Sequence, residues 1–561
     1  MTDPSPPAPR PKLLIIGATG LFGGHLARQL IAADRWDVVL VARDARRLAD
    51  FSRDAGGRTL VLDRADHGAV TRALAHEKPF AVIDTAGPFQ QYGSDGYALA
   101  RAAIRHGAHY LDIADAAEFV AGIESLDAEA TAAGVTVLSG ASSTPALAAA
   151  AADRLVDGLV SVDSVEGAIV PGNRTPRGRS VTEAILGQVG KPMRVWRDGR
   201  WQTAWGWSDA RTIALGGTPA LKPRRAVLVD TPDRLLFPDR YKARTVAFRA
   251  GLELSFMQRA LEAAHWILRL GLAASLLPLS GIAYRAAGWL AGFGSDRGGM
   301  QVRVVGSQAD GTREERTWSM VIGDGQGPKV PVQPVVVLLD KLRAGGVAAG
   351  ARPAVGEVTL GEMEAALALI GASTSTQNRP WTGLFPNAVG NRFASLPQAV
   401  RDLHSGYGEN TYEGTAECDG PDGLLAWCAA RLVGLPPAGA TTTVRVTIDA
   451  SEHREVWTRR FGRHTMRSTL TPGAAPGEIR ERFGALSFAI ALHVEDGTLH
   501  YPVRAGRAFG GIPLPRWLLP VSITRESVDA DGRFTFDVQL LLPRGHRIAH
   551  YRGSLAPAAT A

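Results

Sequence analysis

At 561 residues the chain is long enough for three or four domains of roughly 100–200 residues each. Its 45% apolar and 21% charged content is that of a globular protein, and a mean hydropathy of −0.02 excludes a polytopic membrane protein. The net charge of +7 is diffuse, and without helix-turn-helix or zinc-finger spacing it gives no case for nucleic acid as a partner.

Residues 1–11, MTDPSPPAPRP, are proline-rich with no apolar core. They predict a loose, disordered leader and not a signal peptide. From Lys12 to about residue 140 the pattern alternates between strand and helix. Apolar, β-branched runs occur at 12–17, 37–42, 58–63, 80–86, 109–114 and 134–139. Between them lie segments of helical spacing, such as Phe22, Leu26 and Leu30 on one face. Six strands with helical crossovers specify an α/β Rossmann-type, doubly wound parallel sheet over 12–140.

The first strand runs directly into Gly17, Ala18, Thr19, Gly20, Leu21, Phe22 and Gly23, the context a dinucleotide fingerprint requires. One glycine permits the tight turn, one admits the pyrophosphate, and one lets helix pack on strand. The helix N-terminus then offers free N–H groups to the anion. Arg43 closes the second strand, where NAD-binding proteins place a carboxylate. A guanidinium there, with Arg46 or Arg47 close by, favours the 2′-phosphate of NADP over NAD, although Asp44 beside it is suited to a hydroxyl. Asp63, after the third strand, joins the cofactor set. The fourth strand ends in Ala86, Gly87 and Pro88, which lie along the nicotinamide half. Tyr92, His109 and Asp112 are the nearest polar side chains and the candidate catalytic residues.

Over 141–372 strand-like and helical stretches mix, and 263–295 form an unusually apolar block containing LGLAASLLPLSGIAY. Three readings fit it: buried core helices, a monotopic hairpin lying in a membrane interface, or a membrane span. Pro278 and the length of each piece count against the span. The polar stretch 371–381 has the composition of a linker. Over 383–556 short alternating runs with turn signals predict an antiparallel β-rich domain preceded by one helix near GLLAWCAARLVG. Such a sheet suits an enclosed apolar ligand or a homodimer contact, and Trp457, Phe461, Phe483, Phe488 and Trp517 are candidates to line a cavity.

Absences also discriminate. None of the nine tyrosines has lysine four residues later, which disfavours short-chain dehydrogenase chemistry. No G-x-S-x-G elbow occurs. His106 with His109, and His546 with His550, lack supporting carboxylates or cysteines, so no metal site is expected. Cys418 and Cys428 match no redox pattern, and a reducing, cytoplasmic setting fits, with peripheral contact at the inner face of the membrane through 263–295.

GATGLFGGHLARQL, AGPFQQYG and GAHYLD resemble the NADP-binding domain of saccharopine-dehydrogenase-like oxidoreductases. The resemblance continues through GRSVTEAILGQVGKPMRVWRDGRW and GGMQVRVVGSQADGTREERTWSMVIGDGQGPKVP, covering about 12–372. It implies a second, α+β domain on a mixed sheet, with the chain returning to the first domain near ARPAVGEVTLGEM. RFASLPQAVRDLH, ERFGALSF, GGIPLPRWLLP and DGRFTFDV are similar to an uncharacterised bacterial domain found C-terminal to such enzymes. The expected activity is hydride transfer to or from a small or lipid-like carbonyl, imine or alkene. The alternative is a non-catalytic NADP-binding sensor or a lipid carrier.

Overall fold

A computed structural model describes residues 10–558 except residues 94, 218–220, 437, 452–453 and 510. Most of the expected leader therefore lies outside the described residues. The chain divides into two compact units, Met1–Arg379 and Pro380–Ala561.

The first unit holds two sheets. Strands β1 (Lys12–Ile16), β2 (Asp37–Ala42), β3 (Arg58–Val61), β4 (Ala81–Asp84), β5 (His109–Asp112) and β6 (Thr136–Ser139) coincide with the six apolar runs. They pair in parallel in the order β6-β5-β4-β1-β2-β3, and Gly350–Pro353 adds a seventh strand beside β6. This is the return of the chain implied by the family resemblance. Helices α1 (Leu21–Ala32) and α2 (Ala45–Ala55) follow β1 and β2. Leu13 and Ile15 face one apolar layer while Leu14 and Ile16 face the other, so both faces of β1 are covered, as a parallel sheet demands.

The second sheet is mixed, nine-stranded among the described residues, and centred on Ser161–Val170, Thr245–Ala250, Gly298–Ser307 and Arg313–Ile322. The helix Ala148–Val156, almost entirely alanine at its start and fully buried there, packs against Gly298–Ser307 and the helix Leu360–Leu369. Methyl side chains let backbone approach backbone. A buried ion network ties four strands of this sheet together. Glu166 lies within 2.8 Å of Arg211, 3.3 Å of Arg249 and 3.8 Å of Arg303. Burial opposes its charge, but the three guanidinium groups win and hold its carboxyl down to about 2.

Two expectations change here. The polar stretch taken for a linker is an edge strand, Ser373–Pro380, at the end of the second sheet. Its outer residues are exposed, so its polarity reflects an edge facing water. The apolar block is neither core nor span. It forms the helix Ser255–Arg269, a loop, and the helix Ser280–Trp289. Leu261, Ala264, Leu268 and Leu276 dock on the domain, while most other large apolar side chains face outward. Among the described residues no helix is long and apolar enough to cross a membrane.

The second unit is a thirteen-stranded antiparallel sheet among the described residues, with the helix Leu424–Val433 before most of its strands. The strand Gly408–Asp419 and two short helices, Leu384–Val389 and Gln398–His404, precede that helix and had no counterpart in the sequence reading.

Candidate functional site

The glycine loop has the geometry that its spacing predicts. Gly17 sits at φ +80°, and a Cβ there would lie 2.9 Å from the Ala86 Cα. Its N–H, with that of Ala18, donates to the Val41 carbonyl. A Cβ at Gly23 would lie 2.4 Å from both the Gly17 oxygen and the Thr85 Oγ1, so only glycine lets α1 pack on the end of β4. Gly20 differs: its Cβ would meet only the Gly17 oxygen, at 3.1 Å, with open space beyond. Gly20 is also the N-cap of α1, and no side chain caps the helix. The first-turn N–H groups therefore face outward at the positive end of the helix dipole. Glycines crowded behind, an open glycine in front and an uncapped helix end fit a pyrophosphate. Ala18 is buried and Thr19, Leu21 and Phe22 are half-buried around this loop.

Arg43 follows β2 and is exposed, as are Arg46 and Arg47. Asp44 spends its Oδ1 on the backbone N–H groups of Arg46 and Arg47, each at 3.0 Å, as the N-cap of α2. The competing carboxylate is thus engaged locally. No ion pair holds the three guanidinium groups among the described residues. Asp63, exposed beyond β3, accepts from the Ala65 N–H. Ala86, Gly87 and Pro88 are half-buried beside the glycine loop.

The candidate catalytic residues separate. Asp84 and Asp112 end neighbouring strands in register, and both are fully buried. The Tyr92 hydroxyl donates to Asp84 at 3.1 and 3.2 Å, and the Arg64 guanidinium lies over the Tyr92 ring at 3.3 Å. Burial, then the Asp84 charge, push the Tyr92 phenol well above its usual range. Asp112 Oδ1 accepts from Ser139 Oγ and the N–H groups of Ala114 and Gly140 at 2.8–3.0 Å, while its Oδ2 has no partner. Burial raises its carboxyl to about 7. His109 stands at the opposite, amino end of β5. There its Nδ1 accepts from the Thr136 N–H at 3.0 Å and its ring meets Phe80. It is not brought to the cofactor end.

Sequence reasoning missed Asp115, three residues beyond β5. Its side chain reaches solvent, its Oδ1 accepts from Gln90 Nε2 at 3.0 Å, and desolvation by the surrounding walls raises its carboxyl. The second sheet's Asp230–Arg234 segment stands nearby: Arg234 pairs with Asp230 and reaches across to Glu118. Only HYLDIAD itself signals Asp115, as the second acid of the same segment. His493, Glu495 and His500 in the other unit also converge, within 4.8 Å. A hairpin register joins them and no spacing rule would have found them.

Comparisons agree with this architecture. Residues 13–138 match the saccharopine dehydrogenase NADP binding domain, and residues 396–555 match a domain of unknown function, DUF4166. No curated protein matches the chain. Among solved structures, apo saccharopine dehydrogenase (L-Glu forming) from Saccharomyces cerevisiae is 16% identical. It covers 66% of this chain and 100% of its own, with a TM-score of 0.50. GenD2 from gentamicin A biosynthesis, in complex with NAD, is 15% identical over 66% of this chain and 95% of its own, with a TM-score of 0.33. At such identity the yeast enzyme shares the fold. Residues 13–138 are thus an NADP-binding domain of the saccharopine dehydrogenase type, which supports an oxidoreductase.

Proposed function

We propose that the protein moves a hydride between NADP and a hydrophobic, lipid-like carbonyl, imine or alkene compound taken from a membrane surface. The observation that carries this reading is the apolar block. Between Phe256 and Phe293 eleven large apolar side chains are exposed, among them Leu270 at 71%, Leu272 at 73% and Trp289 at 84%. Such patches on soluble proteins mark interaction sites. The only formal charges within 263–295 are Arg269 and Arg285. Exposed tryptophan and leucine with arginine and no acid suit an interface rich in anionic lipid.

In this reading the Gly17–Gly23 loop and the α1 N-terminus hold the pyrophosphate. Arg43, with Arg46 and Arg47, takes the 2′-phosphate, Asp63 borders the adenosine half, and Ala86 to Pro88 flank the nicotinamide. NADP supplies the hydride chemistry when bound. Asp115, accessible and raised, is the carboxyl suited to exchange a proton with the substrate, oriented by Gln90. Tyr92 and Asp112 support the loop from inside.

A second reading, a non-catalytic NADP-binding sensor or lipid carrier, draws on one observation: Tyr92 and Asp112 are committed to internal bonds, which leaves few proton donors.

Isotope transfer separates the two. The protein is incubated with NADPH stereospecifically labelled at the nicotinamide C4 and with lipid extract, either in vesicles or dispersed in detergent. Label should enter a lipid component in both forms. An I282S/W289S/F293S variant should lose transfer from vesicles and keep it in detergent. Tight NADPH binding with no transfer in either form would establish the second reading, and equal transfer by the variant would remove the membrane from the first.

A further inference from the structure

The C-terminal unit contains a cavity of about 890 Å³, near the top of the span of about 300–1,000 Å³ typical of small-molecule sites. Trp457, Phe461, Phe483, Phe488 and Trp517, the five aromatics singled out from the strand pattern, all line it. Packed interiors leave few voids larger than a water molecule, because wall atoms facing a gap forfeit their dispersion contacts. A hydrocarbon-lined space of this size is therefore a binding feature of the sheet, not slack in its core.

Its charges are arranged by depth. Inside, each carboxylate on the wall already has a partner from the domain. Glu481 accepts from Arg459 at 3.3 Å. Glu526 Oε2 accepts from the Tyr501 hydroxyl at 2.5 Å and lies 2.6 Å from His404 Nε2. At the opening Leu425, Leu432 and Trp517 line the cavity and are also 78%, 70% and 71% exposed, so the entrance has an apolar rim. Arg544 and His546, on the turn between the last two strands, line the cavity as well and are exposed. Neither side chain has a hydrogen bond or ion pair among the described residues. The interior is thus apolar with its carboxylates engaged, and the Arg544 guanidinium and His546 imidazole stand at the mouth, unpaired among the described residues.

We propose that this domain binds a single-chain anionic lipid. The hydrocarbon chain fills the cavity, and a carboxylate or phosphate head rests at the mouth on Arg544, beside the His546 imidazole. The guanidinium fork suits either oxyanion, and the apolar rim lets the chain enter without crossing a polar barrier. The site is independent of the reading of the N-terminal domain.

The full-length protein is titrated with cis-parinaric acid, a fluorescent fatty acid, and competed with palmitate, hexadecyl phosphate and hexadecanol. Saturable binding at one site per chain is expected, displaced by all three competitors. Ala429→Trp, on the half-buried inner face of the rim helix, should abolish it by filling the cavity. Arg544→Glu should weaken both anionic competitors about tenfold, one charge-assisted contact's worth, and leave hexadecanol unchanged. Far-ultraviolet circular dichroism and the thermal unfolding transitions of the same samples report whether the C-terminal unit of each variant is folded, and NADPH binding keeps the outcome separate from the function proposed above. Absence of saturable binding by the wild-type protein would overturn the proposal, as would probe binding that folded A429W retains. Equal loss of the alcohol and the acids in R544E would overturn the placement of the head.

Discussion

Gly20 and Gly23 are one turn apart in the same loop, yet the structure predicts opposite consequences for the same methyl group. At Gly23 the added Cβ lies 2.4 Å from a backbone oxygen and 2.4 Å from the Thr85 hydroxyl. Thr85 in turn is fixed by donating to the Ile16 carbonyl at 2.7 Å. Relief requires α1 to lift from β4, an overpacking cost of about 1–3 kcal/mol. At Gly20 the backbone is extended, φ −77°, and the single contact at 3.1 Å yields by a few tenths of an ångström. Alanine is a poorer N-cap than glycine, which adds about 1 kcal/mol at most. The Gly20 methyl would instead occupy the space through which a pyrophosphate reaches the free amides. Gly20→Ala should therefore lower the unfolding temperature by no more than about 2–4 °C while weakening NADPH at least about tenfold, a loss of roughly 1.4 kcal/mol. Gly23→Ala should lower the unfolding temperature further. Calorimetry and titration of NADPH fluorescence measure both. A folded G20A protein that binds NADPH as tightly as the wild type would refute the pyrophosphate cradle.

Two further outcomes follow from the same end of the sheet. Arg43→Asp exchanges an attractive contact with the 2′-phosphate for a repulsive one and should reduce the preference for NADPH over NADH about ten- to a hundredfold; an unchanged ratio of dissociation constants would remove Arg43 from the site. Asp112 supplies a pH test, because its folded carboxyl is raised to about 7 from an unfolded value near 3.9. Between those values the unfolded chain has released the proton that the folded chain still holds, so stability should fall as pH rises from about 4 to 7 and level off above. Asp112→Asn should flatten that slope in denaturant titrations, and a slope the variant leaves intact would assign it to another group.

The parallel sheet was legible because its central strands are buried on both faces. Continuous runs such as LLII and VVLV have no other stable use at that length, and their ends agree with the observed strands to within about two residues. The glycine spacing was legible for the related reason that steric demands at φ +80° and at a 2.4 Å approach leave one residue type. Polar strands were less legible. Ser373–Pro380 and Gly408–Asp419 carry mostly serine, threonine, glutamate and glycine, whose composition is also that of loops. They are strands because a neighbour supplies the ladder, a fact absent from local sequence. The candidate site was less legible where strand direction mattered. His109 and Asp112 share one short strand, yet its direction puts the histidine at the end away from the glycine loop and the aspartate inside the sheet, while Asp115 beyond the strand reaches solvent.

The near-zero mean hydropathy has its explanation in where the apolar residues lie. Part of the apolar content is spent outside the cores: on the exposed helices around 256–293 in one unit, and on the cavity and rim of the other, where Leu425, Leu432 and Trp517 are each at least 70% exposed. Burying any of these would stabilise the fold by about 1.5–3 kcal/mol, and in neither place does the chain do so. Arginines stand at both places, Arg269 and Arg285 in the first and Arg431, Arg516 and Arg544 in the second, while nearby acids are engaged within the protein, Glu262 by Arg225, Asp422 by Arg547 and Glu481 by Arg459. An aggregation-prone surface is ordinarily interrupted by charges of both signs. Apolar side chains bordered by arginines whose acidic neighbours are already engaged are an arrangement that an anionic lipid satisfies, hydrocarbon against the one and oxyanion against the other. In the two proposals above, lipid is the ligand class that accounts for both surfaces with one chemistry.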